Sequence, residues 1–153
     1  MASVVFLPPD FQELSVLLKG TADEELRTIA VPTNPICFSE LFATVATIFQ
    51  LGQQITGKRD FLFVDNEVAC AALAKGSARN KGALPLLYAL WAIAAQRDIG
   101  LWTERVPTEV NPADLPARDR DLSSETQPAQ ELVSHKDVLA IYDFSWVAIQ
   151  RTE

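Results

Sequence analysis

The chain has 153 residues, 48% of them hydrophobic and 22% charged, with a formal net charge of −7. These totals describe one soluble globular domain with a sizeable core and exclude a generally basic, nucleic-acid-coating surface, while leaving room for a metal-binding carboxylate cluster and local basic patches. No apolar run approaches membrane-spanning length and Met1–Pro9 lacks the basic start and long apolar core of a signal peptide, so an intracellular location, cytoplasmic or nuclear, with no membrane partner is expected.

In chain order, Ser3–Leu7 is strand-like and stops at Pro8-Pro9, which cannot continue a ladder. Glu13–Lys19 is a second strand candidate closed by Gly20. Thr21–Ala30 carries a short helix with an acidic first turn, and Val31–Pro35 is a turn-rich connection. A helix follows with Ser39 as N-cap and Leu41, Val45, Ile48 and Phe49 at helical spacing, running to about Gln54. Phe61–Val64 is a continuous apolar run of strand formers, which predicts a strand buried on both faces near the middle of a sheet. Asp65 or Asn66 then caps a helix over Glu67–Lys75, with Gly76 as its stop. After the Ser77–Lys81 loop a long helix starts, with Pro85 in its first turn and Leu84, Leu87, Tyr88, Trp91, Ala94 and Ala95 as its apolar face. Arg97-Asp98 and Gly100 end it. Leu101–Val106 is the next strand, and Thr108–Arg120 is loop or a single helical turn. Asp121–Gln130 reads as a linker, and Glu131–Ile149 turns apolar again without a consistent period. Cys37 and Cys70 lie in apolar runs with no zinc-type partners and read as reduced core residues. Trp91 and Trp102 read as core, with partial exposure of Trp102 left open by its alternation with Thr103.

Three segments line up in a distinctive order. SELFATVATIFQLGQQ carries Glu40 near its start, LFVDNEVACAALAKGSARN carries Asp65 at a strand-to-helix turn, and LWTERVPTEVNPADLPAR carries Asp114. Together they resemble the ribonuclease H domain that follows the reverse transcriptase in retroelements, over roughly Val4–Arg118. The resemblance implies an α/β fold, a mixed five-stranded sheet flanked by helices, assigned to residues 1–120; beyond it, composition gives a linker at 121–134 and a C-terminal segment at 135–153. It also implies cleavage of the RNA strand of an RNA–DNA hybrid by two-metal hydrolysis, with Mg²⁺ as cofactor and Mn²⁺ able to substitute. Glu40, Asp65 and Asp114 match the family's second, third and fourth catalytic, metal-holding carboxylates. An upstream reverse transcriptase domain is the implied protein partner.

The first carboxylate departs from the pattern. In the family it lies on a central strand beside the one matching Phe61–Val64, whereas Ser3–Leu7 and Glu13–Lys19 look like the second and third strands. The chain therefore reads as N-terminally truncated, with Asp10 belonging to a hairpin turn rather than to the site. Such a loss exposes an unpaired apolar edge, to be covered by another chain or by Tyr142–Ile149.

Smaller signals surround this frame. Lys75, Arg79 and Lys81 cluster around a glycine-bounded loop, where they either contact hybrid phosphates or form a solvated face. Asn66 orients Asp65 or touches substrate, or else only caps its helix. Arg105 and Arg118 flank the Asp114 segment. His135, the sole histidine, has no assigned role. The rival reading from another class is a catalytically inactive ribonuclease H-like remnant that binds nucleic acid or a partner. An exonuclease or integrase of the same fold shares the carboxylate chemistry but not the NPAD ending.

Overall fold

The computed structural model describes residues 2–5, 16–19, 35–111 and 113, with 130–131, 133 and 137–138 towards the C-terminal end. The expected short helix at Thr21–Ala30, the turn at Asp10, Asp114, Arg118, His135 and Tyr142–Ile149 lie outside the described residues. Within them the architecture is mixed α/β.

Strand β1 (Ala2–Val5) pairs antiparallel with β2 (Val16–Lys19), Val5 standing opposite Val16. Helix α1 (Pro35–Leu51) starts a full turn earlier than the expected cap at Ser39. Proline is well suited to a first turn, because its fixed φ is helical and its missing N–H has no intrahelical acceptor there. Two threonines, poor helix formers, return their hydroxyls to the backbone: Thr44 donates to the Glu40 carbonyl at 3.0 Å and Thr47 to that of Ala43 at 2.7 Å. The buried stripe of α1 runs through Phe38, Leu41, Val45 and Ile48.

A strand–helix–helix–strand unit follows. Strand β3 (Arg59–Val64) leads to α2 (Glu67–Lys75), a single 3-10 turn (Lys81–Ala83), α3 (Leu84–Gln96) and β4 (Gly100–Arg105). β3 and β4 are parallel and paired along their full length, from Arg59 opposite Gly100 to Val64 opposite Arg105. Parallel strands need such a long crossover, and here two helices supply it. Asn66 is the cap of α2, its Oδ1 accepting from the backbone N–H of Val68 and Ala69 at 3.0 Å each. Gly76 ends the helix at φ 62°, and a Cβ there would meet Trp91 Nε1 at 3.1 Å. Two requirements, left-handed backbone and close approach of an indole, therefore fall on one glycine.

The core lies between the three helices and the inner face of β3. Leu73, Leu86, Leu87, Leu90 and Ile93 are almost fully buried against α1 and Val64. On α3 the buried face runs through Leu86, Leu90 and Ile93, whereas Tyr88, Trp91 and Ala95, expected inside, are exposed. The segment LPLLYALWAIAA is apolar almost all round, so periodicity did not single out a face. The aromatics with a polar atom went to the rim, where that atom can meet water.

β3 departs further from expectation. Of the apolar run, Leu62 and Val64 turn towards the helices, on the same face as Asp60, whereas Phe61 and Phe63 are 67% and 63% exposed. The strand therefore buries one face and not two, because the helices cover a single side of this ribbon and side chains alternate across it. Trp102 projects to the same outer face and is 63% exposed, so it is not core.

The two-residue strand β5 (Gln130–Glu131), within the stretch read as linker, pairs parallel with β2. Gln50, near the end of α1, holds it in place, donating to the Glu131 carbonyl at 3.1 Å and accepting from the Val133 N–H at 3.3 Å. Val138 is fully buried in the core. The sheets β1–β2–β5 and β3–β4 are separate, and among the described residues no ladder joins them.

Candidate functional site

The carboxyl end of β3 is the focus. Asp65 is the residue immediately after the strand, in the turn that Asn66 converts into α2. Since Asn66 spends its side-chain oxygen on the cap, Asp65 is not needed for it and its carboxylate is left to other partners. Glu40 approaches from α1, brought there by the packing of α1 on α2. Two acidic residues remote in sequence thus meet.

Their proximity has an electrostatic signature. The Glu40 carboxyl is pushed up to about 7, first by burial and then by the negative charge of Asp65; the backbone N–H of Asn66 works in the opposite direction, and a side-chain hydrogen bond with Asp65 adds to the rise. One oxygen, Oε2, is buried and has no hydrogen-bond partner. A desolvated carboxylate beside a second one has two ways to relieve the repulsion: it holds a proton, or the pair shares a cation. Hard divalent ions such as Mg²⁺ take oxygen ligands of this kind. Among the described residues no third His, Cys, Asp or Glu completes a metal-sized group. Asp114 lies outside them; nearby, the Asn111 side chain accepts from the Ala113 N–H at 3.1 Å and turns the chain after a 3-10 turn at Thr108–Val110.

Cys37 was read only as core. It is buried, one turn before Glu40 on the same face of α1, and its thiol is raised by burial and then by Glu40. The i, i+3 spacing of Cys37 and Glu40 in the sequence was the available signal. Neither cysteine forms a disulfide.

Lys75 and Arg79 both line a groove of about 900 Å³ between the start of α1, the outer side of α2 and the following loop, and Lys81 does not. Phe38, Leu41 and Ala72 form its floor, and Asn80 lines it as well. Neither Glu40 nor Asp65 lines this groove; Asp65 precedes α2 whereas Lys75 ends it and Arg79 follows it, so the basic pair and the acidic pair do not form one cluster. Arg105, opposite Val64 at the end of β4, is exposed. No helix among the described residues is long and apolar enough to cross a membrane.

A scan against protein-family models, a search of curated proteins and a search of solved structures each returned no match.

Proposed function

We propose that this chain is a ribonuclease H-like domain of the retroelement type, acting on the RNA strand of RNA–DNA hybrids. The observation that supports this reading most is the meeting of Glu40 and Asp65, with an unpartnered buried oxygen on Glu40. The motif resemblance demanded that meeting, and local sequence does not.

In this reading Glu40 and Asp65, with Asp114 as the resemblance implies, would hold two Mg²⁺ ions. When bound, such ions supply Lewis-acid activation of water and of the leaving oxygen. The rest falls to the protein. The rigid β3–α2 turn fixes Asp65 through the Asn66 cap, and the packing of α1 keeps Glu40 desolvated beside it. Lys75 and Arg79 contact backbone phosphates, which orients a duplex without reading its sequence. An upstream reverse transcriptase domain fits as a partner.

The test is cleavage of an end-labelled RNA–DNA hybrid in Mg²⁺ and in Mn²⁺, with Asp65→Asn alongside. The expected outcome is metal-dependent cutting of the RNA strand that falls by at least about a hundredfold in the variant, the scale lost with a key electrostatic group.

A second reading is favoured by one observation: the two described strands that precede α1, β1 (ASVV) and β2 (VLLK), carry no carboxylate. It is a non-catalytic ribonuclease H-like module that binds nucleic acid or a protein. Hybrid bound but uncut by a folded chain would select it.

A further inference from the structure

The outer face of the β3–β4 ribbon is its least accounted-for surface. Phe61, Phe63 and Trp102 stand there side by side, Phe61 directly opposite Trp102 in the register. The two phenyl rings are stacked with centroids 6.4 Å apart. Each of the three side chains is more than 60% exposed. A contiguous aromatic patch of this kind marks an interaction surface.

The charges around the rings decide which partner fits. Alternation along the strands puts Arg59 on this side at the start of β3 and Glu104 near the end of β4. A cation balanced by an anion leaves no surplus of positive charge for phosphates, which argues against a nucleic acid. Their placement is diagonal: Arg59 stands opposite Gly100 and Phe63 opposite Glu104, with the Phe61–Trp102 row midway. The Arg59 side chain leans across to β4, where a Cβ added at Gly100 would run into it. Asp98 steadies it there; its carbonyl accepts from Nη1 at 3.1 Å and its carboxylate lies 3.7 Å from Nη2. A guanidinium has five donors, so these contacts leave others for a further acceptor.

We propose that two copies of this chain pair through this face, about a two-fold axis that crosses the strands at the Phe61–Trp102 row. Such an axis reverses the strand direction, lays that row on its own copy and brings Glu104 of one copy over Gly100 of the other. Glu104 then meets the Arg59 that leans over Gly100, and by symmetry the contact forms twice. Gly100, with no side chain of its own, leaves room for both. An axis along the strands would instead gather both arginines at one end and both glutamates at the other. Aromatic side chains cover about 150–250 Å² each, so the exposed parts of the three offer roughly 300–450 Å² per copy. With Arg59 and Glu104 the two copies together approach about 1,000 Å², the lower limit of specific interfaces, so the dimer is reversible with a micromolar Kd.

Sedimentation equilibrium of the full chain, from micromolar to near-millimolar concentration, tests the proposal. The expected result is a monomer–dimer equilibrium. Arg59→Glu alone and Glu104→Arg alone should each weaken it at least about tenfold, since each sets two like-charged pairs face to face. Mixed in equal amounts, the two variants should pair with each other, because every contact between positions 59 and 104 is then of opposite sign. Both positions are exposed, and thermal unfolding checks that each variant folds. A chain that stays monomeric to near-millimolar concentration would overturn the proposal. So would dimerisation that neither variant weakens, or folded variants that fail to pair on mixing. If a variant does not fold, intermolecular Overhauser contacts in a mixed-label sample of the unmodified chain decide. Contacts between the Phe61 and Trp102 rings of the two copies would support the proposal, and contacts confined to another surface would overturn it.

Discussion

At Glu40 burial and a neighbouring carboxylate act together against ionisation, and the sign of the consequence is fixed. The ordinary value of 4.5 applies to the unfolded chain and about 7 to the folded one. Between them the native state keeps a proton that the unfolded state has shed. The contribution to stability is therefore complete below about 4.5 and is lost as pH rises through 7. Glu40→Gln should match the unmodified chain in thermal stability at pH 4.5. At pH 8 it should exceed it by roughly 1 kcal/mol, a figure discounted because the group is only half buried. Equal differences at the two pH values would refute the assignment. A cation shared with Asp65 makes a second, separable prediction. Millimolar Mg²⁺ should raise the melting temperature at pH 8, have little effect at pH 4.5, and have none in Asp65→Asn. Glu40 and Asp65 were legible only through the resemblance, since nothing in the local sequence around either one points to the other. Asn66 was different: a short polar residue just before a helical stretch is a local signal, and its capping bonds are where that signal put them.

For the elements, the helix stops and starts followed local chemistry while their faces followed packing. The α2 boundaries make the clearest case. Asn66→Ala should lower the unfolding free energy by about 1 kcal/mol through loss of the cap, with Asn66→Ser restoring most of it. Gly76→Ala should cost about 1–2 kcal/mol, because a left-handed residue acquires a Cβ that also crowds Trp91. Urea midpoints unchanged by either substitution would count against these roles. α3 shows the limit of such reading. With apolar residues on nearly every side, its inner face was set by what α1 and β3 presented, and Tyr88 and Trp91 were left at the surface. The β3 run FLFV misled for a related reason. A continuous apolar strand does not state how many layers will cover it.

Over the whole molecule, the mixed α/β architecture was legible from the order of strands and helices. The separation into two sheets was not, because strand pairing depends on contacts that no short window contains. β3 pairs with β4 on one side only among the described residues. The ladder closes with the Gly100 N–H donating to the Lys58 carbonyl at 2.9 Å and the Val106 N–H to that of Val64 at 3.0 Å. In a parallel pair this phase directs alternate β3 amides to β4 and the others to the free edge. Exchange should therefore be slow at Asp60, Leu62 and Val64 and fast at Phe61 and Phe63. Uniform protection along β3 would mean that another strand occupies that edge.

The order of synthesis gives the aromatic face a further meaning. Phe61, Phe63 and Trp102 all precede the end of β4 at Arg105, so the three rings are made before the rest of the chain. Once β3 and β4 pair on an emerging chain, the rings would stand exposed together, as they do in the folded protein. Crowded polysomes would bring such ribbons together, and the chaperones that bind short apolar stretches on emerging chains would find one here. How much protein a cell accumulates would then depend on those encounters as well as on the stability of the finished fold.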